Sequence, residues 1–213
     1  MLYFFVLCGI LLSTGCARTP HDYSAFERSR PKSILVIPPL NNSIEVNAPY
    51  IYLATITRPL AEKGYYVFPV AVIDHFLKEN GLPTPHEMNG IPLDKIGEHI
   101  GADAVLYVTI ENWGQKFQVI QSVTVVSVTL RLVDVQTGEE IWQATARAEA
   151  GSGNSGNDPL AALVAAVITQ VLNTTVADPT PGLARQANYR AIYSQYSGLP
   201  DGPYKAPAQK SME

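Results

Sequence analysis

Apolar and polar positions alternate in blocks along most of the chain. Residues 33–37 are an unbroken run, Ser33-Ile34-Leu35-Val36-Ile37, stopped by Pro38-Pro39, and they predict a strand buried on both faces. Residues 50–63 have helical spacing, with Ile51, Ala54, Leu60 and Ala61 as expected core positions. Arg58-Pro59 interrupts that pattern and predicts a kink or a restart at Pro59, and Gly64 suits the helix end. Residues 65–68 read as a second strand, 70–79 as a short helix closed by Asn80-Gly81, and 82–92 as a proline-rich loop. A helix over 93–100 has Leu93, Ile96 and Ile100 on one face, and 104–110 form a third strand.

From residue 119 to 135 polar and apolar positions alternate, and the change of phase at Val125-Val126 predicts a bulge. Asp134 to Glu139 is a turn with Gly138 suited to positive φ, and 141–149 is the return strand. Asp158-Pro159 opens the most regular helical pattern, with Leu160, Leu163, Val164, Val167, Ile168, Val171 and Leu172 on one face. Helix–strand alternation, a late hairpin and a packing helix predict an α/β fold: a mixed β-sheet packed by helices. The expected division is a domain over 33–176, a polar tether over 16–32 with Pro20 and Pro31, and a loosely packed tail over 177–213 rich in Pro, Gly and Tyr.

The first residues change the picture. Residues 2–12 are continuously apolar but shorter than the roughly 20 residues that span a bilayer, so they fit the core of a secretory signal over 1–15. Ser13-Thr14-Gly15-Cys16 follows, and this ending resembles the bacterial lipobox, in which the signal is cut before an acylated cysteine. The resemblance makes Cys16 the lipidation site and implies attachment to a membrane. Ser13 stands where the usual leucine would be, with Leu12 one step further out. No Lys or Arg precedes the apolar run, which leaves room for a start further upstream. The alanine at position 17 is compatible with the family rule for outer-membrane sorting, facing the periplasm.

Composition excludes several classes. The net charge of −4 gives no electrostatic case for nucleic acid. Cys8 leaves with the signal and Cys16 is acylated, so no internal disulfide is expected. Gly151-Ser152-Gly153-Asn154-Ser155-Gly156 matches G-x-G-x-x-G, but it follows the second arm of a hairpin and no strand follows its helix, so the loop reads as a connection. His21, His75, His86 and His99 lack metal-ligand spacing, and Asp74, Asp94, Asp103 and Asp134 read as caps and turn residues. No catalytic residue, cofactor or metal is expected. The strand from residue 119 reads as part of a soluble hairpin rather than a membrane-crossing one.

Three stretches carry a family resemblance: Gly64-Tyr65-Tyr66-Val67-Phe68-Pro69-Val70, then Ile100-Gly101-Ala102-Asp103-Ala104-Val105-Leu106-Tyr107, then Leu132-Val133-Asp134 with Thr137-Gly138-Glu139 and Trp142. Together they resemble a bacterial lipoprotein family of unknown function, first noted among genome-derived antigens. The resemblance implies a fold similar to the TolB amino-terminal domain, shared with the curli-secretion channel lipoprotein and a lipoprotein activator of penicillin-binding proteins. It brings no catalytic residues. It implies a non-enzymatic envelope component that contacts other proteins in secretion, assembly or transport, with curli-channel-type lipoproteins as partners and a homo-oligomer allowed. Tyr189, Tyr193, Tyr196 and Tyr204 are candidate contact residues. Activation of peptidoglycan synthesis is the alternative, weakened by the short tether. A small-ligand or nucleotide site in the glycine loop is another.

Overall fold

The apolar run at Ser33 sits at the centre of the parallel half of the sheet. In this computed structural model, which describes residues 21–118, 121–151 and 178–206, strand β1 (Ser33–Val36) lies between β3 (Tyr66–Val67) and β4 (Ala104–Gln118), parallel to both. Strand β2 (Leu40–Asn41) continues the parallel pairing further along β4, at Thr109 and Ile110. Strands β5 (Gln121–Asp134) and β6 (Glu140–Gly151) add an antiparallel half, giving the order β3-β1-β4-β5-β6 with β2 on β4. The chain has the mixed, helix-packed sheet that its pattern predicts.

Six helices are described: α1 (Ser24–Ser29), α2 (Ala48–Glu62), α3 (Val70–Glu79), α4 (Pro85–Asn89), α5 (Leu93–His99) and α6 (Thr180–Ile192). Ile34 and Val36 of β1 face a core built with Phe26 of α1, Tyr52 and Leu60 of α2, and Leu183 and Ala187 of α6. Leu35 and Ile37 face a second core with Ile73, Leu77, Met88 and Ile96 of α3 to α5. Burial on both faces is why this strand is continuously apolar rather than alternating.

Several expectations need correction. The stretches read as tether and tail are structured where the chain is described: α1 buries Phe26, and α6 buries Leu183, Ala184, Ala187 and Ile192, with Leu199 beyond it. Small alanines make that helix pack closely on the sheet while its composition stays tail-like. Helix α2 buries Tyr52, Thr55, Ile56, Pro59 and Leu60, whereas Ala54 and Ala61 are exposed. It runs through Pro59 without a break, and Lys63 N–H donates to the Pro59 carbonyl. The buried proline ring offsets the one absent backbone donor. The 82–92 loop contains α4, opened by a capping box in which Thr84 and Glu87 satisfy each other's backbone N–H. No bulge occurs at Val125-Val126, which pair in unbroken register with Gly114 and Trp113 and are both buried. Register shifts fall at Ile110/Asn112 and Leu132/Val133 instead. The glycine loop beyond Gly151 and the helix predicted from Asp158 lie outside the described residues.

Candidate interaction surfaces

One end of the molecule is a clasp. Residues 194–205 form a strap after α6 that lies against the starts of β3 and β6. Trp142 Nε1–H donates to the Ser197 carbonyl (3.0 Å), Tyr65 O–H to the Pro200 carbonyl (2.6 Å) and Tyr23 O–H to the Gly198 carbonyl (2.7 Å). Gly202 N–H donates to Lys63 O and Tyr204 N–H to Gly64 O. The amino-terminal segment is held at the same end. The Asp103 carboxylate accepts from Lys32 N–H, Ser33 N–H and Ser33 O–H, and Arg28 pairs with Glu139. Ser29 O–H donates to Asp134 Oδ2 (2.5 Å) while Thr137 donates through N–H and O–H to Oδ1. Gly64, Tyr65, Asp103, Asp134 and Trp142, which carry the family resemblance, thus tie both terminal segments to the sheet, and Thr137 braces the Asp134 carboxylate.

Burial alone would raise the Asp134 carboxyl, but the Ser29 and Thr137 donors outweigh it and hold the group below the usual carboxylate value. A depressed folded value contributes stability that is complete above the unfolded value of about 3.9 and is lost as pH falls toward the folded one. Asp134→Asn is expected to cost about 1–3 kcal/mol at neutral pH by weakening charged acceptor bonds. Its deficit against the natural chain should shrink as pH falls below about 4, in urea midpoints taken across that range.

The tyrosines suggested as contact residues divide into two kinds. Tyr189 and Tyr193 stack at 4.5 Å and 14°. Lys63 and Lys205 stand over the Tyr193 ring at 4.9 and 5.9 Å, and burial pushes its phenol up to about 12. Tyr193 is therefore a packing residue. Tyr196 and Tyr204 are exposed.

The opposite end carries a feature that periodicity does not reveal. After β2, Asn42 N–H donates to Ile110 O, and residues 42–47 are wired internally. Asn41 Oδ1 accepts from Ser43 N–H and O–H, Asn41 Nδ2 donates to Glu45 O, and Asn47 N–H donates to Glu45 Oε1. This short fixed loop holds Ile44 99% and Val46 79% exposed, beside the exposed Tyr50 at the start of α2. The available signal is two lone aliphatics among Asn, Ser and Glu, where neither helix nor strand spacing demands them.

The chemistry-bearing residues do not converge. His75, His86 and His99 are exposed on three different helices, and His21 packs edge-on against Tyr23. Asp74 pairs with Lys78 along α3. Among the described residues no group of three His, Cys, Asp or Glu could hold a metal ion, and no helix is long and apolar enough to cross a membrane. The cleft between α1 and the strap is lined by Arg30, Lys32, Pro200 and Asp201 and holds no histidine, cysteine or serine. Cys16 lies outside the described residues.

These features define a small α/β domain on a mixed sheet, clasped at one end by its own terminal segments. The family model described as "Putative lipoprotein GNA1162-like" matches residues 21–204, and the chain belongs to this lipoprotein family. It is 42% identical over 202 residues to the lipoprotein NMB1124/NMB1162 of Neisseria meningitidis serogroup B, covering 92% of this chain and 93% of that one. The crystal structure of lipoprotein GNA1162 from Neisseria meningitidis is 43% identical with a TM-score of 0.56, over 68% of this chain and all (100%) of that chain. A PelC dodecamer from Paraburkholderia phytofirmans matches at 22% identity and a TM-score of 0.42, over 62% of this chain and 81% of that chain, a likeness that carries no functional weight.

Proposed function

We propose that the chain is acylated at Cys16, faces the periplasm from the outer membrane, and works without catalysis as a module that binds other envelope proteins in a secretion, assembly or transport complex. The observation that carries this reading is the fixed loop over 42–47, which keeps Ile44 and Val46 in water. Two aliphatic side chains held out by so many hydrogen bonds match an apolar pocket on a partner, because little ordering entropy remains to be lost on docking. Family membership supports the lipid anchor.

The test compares the natural chain with Cys16→Ala and Ile44→Asp in cells given a fatty-acid probe, followed by membrane fractionation and cross-linking. Label is expected on the natural chain and Ile44→Asp, in the outer-membrane fraction, and absent from Cys16→Ala. Cross-linked envelope proteins should be lost from Ile44→Asp, whose folding stability should stay within about 0.5 kcal/mol because the site is exposed. Equal labelling of Cys16→Ala sinks the anchor, and unchanged cross-linking of Ile44→Asp sinks the docking loop.

A further inference from the structure

The clasp fixes where an anchored chain meets its membrane. Tyr23 is bonded to Gly198 of the strap, and His21 packs edge-on against the Tyr23 ring. Residues 16 and 21 are five Cα steps apart, so the chain between them reaches at most about 18 Å. The whole 16–32 stretch, were it free, would reach about 55 Å. The strap end is therefore the end that a lipid on Cys16 brings to the bilayer.

That end also has a suitable surface. Tyr196, two residues from the Gly198 contact, and Tyr204, bonded to Gly64, are each 63% exposed. Tyrosine fits the headgroup zone, where the ring leaves water and the hydroxyl keeps polar partners. Arg28 pairs with Glu139, Arg30 with Glu27 and Lys63 with Asp201 at this end, and the Asp103 and Asp134 carboxylates are held there by N–H and O–H donors. Lys32 and Lys205 add cations at the same end.

Strand direction places the other surface at the far side. The clasp gathers at the starts of β1, β3, β4 and β6. β2 begins its pairing at Thr109, and the 42–47 loop follows it. We infer that the domain rests on the lipid surface through Tyr196 and Tyr204 at the strap end, and holds Ile44 and Val46 out into the periplasm. This inference rests on acylation of Cys16 as proposed above.

The experiment uses the full acylated chain in vesicles of phosphatidylethanolamine and phosphatidylglycerol containing a headgroup-linked quencher lipid. A fluorophore is placed at Tyr204→Cys, at Tyr196→Cys, or at Ile44→Cys, all exposed positions, and thermal unfolding confirms that each variant is folded. Strong quenching is expected at 204 and 196 and none at 44. With Tyr204→Ser added, the label at 196 should be quenched several-fold less. Equal quenching at all three positions, or none at 204 and 196, overturns the orientation while leaving the anchor intact. Unchanged quenching at 196 with Tyr204→Ser overturns the role of the tyrosine. A chain that does not float with vesicles and shows no acyl mass on its Cys16 peptide removes both the anchor and the orientation.

Discussion

Asn188→Ala is expected to destabilise the domain by about 3 kcal/mol, read as a lower urea midpoint at unchanged slope. Asn188 is fully buried in α6, where it faces α2. Its Oδ1 accepts from the Tyr52 hydroxyl (2.7 Å), and its Nδ2 donates to Thr55 Oγ1 (3.1 Å). Thr55 O–H in turn donates to the Tyr52 carbonyl (2.7 Å), so three buried polar side chains satisfy one another. Truncation removes the acceptor of a phenol whose ring is itself fully buried, and burial already pushes that phenol far up. The double variant with Tyr52→Phe should lose less than the sum of the two single losses, because no hydroxyl is then left stranded. Strict additivity would mean that the network adds nothing beyond packing.

The second large effect is expected at two interlocked glycines. A Cβ on Gly64 would stand 2.6 Å from Lys205 Cα, at a φ of 93° that strains any side chain. A Cβ on Gly202 would stand 2.7 Å from the Gly64 carbonyl carbon. Both obstacles are backbone, so no rotamer change relieves them and the strap must lift. Lifting it breaks the bonds of Gly202 to Lys63, Tyr204 to Gly64 and Tyr65 to Pro200. Gly64→Ala and Gly202→Ala should each cost about 3 kcal/mol and open residues 199–205 to protease. A Gly202→Ala chain with natural stability and protease resistance would show that the strap is not held as described.

Much of the sheet was legible because its rules are local. The central strand, α3, α5 and the Asp134–Gly138 turn follow from apolar runs, helical spacing and a glycine at positive φ. The helix faces were harder. In α2 the pattern favoured Ile51, Ala54, Leu60 and Ala61. Leu60 is buried and Ile51 packs half-buried against the core, but Ala54 and Ala61 are exposed, and the buried stripe adds Tyr52, Thr55 and Pro59, a polar-tipped ring, a hydroxyl and an imino acid that hydropathy ranks low. In α6 three alanines and an asparagine face the core, so only contact with the rest of the fold identifies the helix. The change of phase at Val125-Val126 misled because a strand buried on both faces need not alternate. The clasp residues were visible as motifs, but their shared task was not, since their partners in the terminal segments are far along the chain, 55 residues away for Trp142 and Ser197 and 135 for Tyr65 and Pro200. The 42–47 loop offers no period at all, and its two exposed aliphatics become informative only once its hydrogen bonds are seen.

The placement of α6 and the strap has a consequence for timing. Leu183, Ala187 and Ile192 close the core over β5 and β6, and the Ser197 carbonyl accepts from Trp142 Nε1–H, so this face of the sheet is sealed by residues that follow all the described strands in the chain. Synthesis proceeds from the amino terminus, and the strands wait for these contacts until residues 183–199 emerge. A chain exported from its amino-terminal end, as proposed above, thus stays open and threadable across a membrane until residues 183–199 have followed.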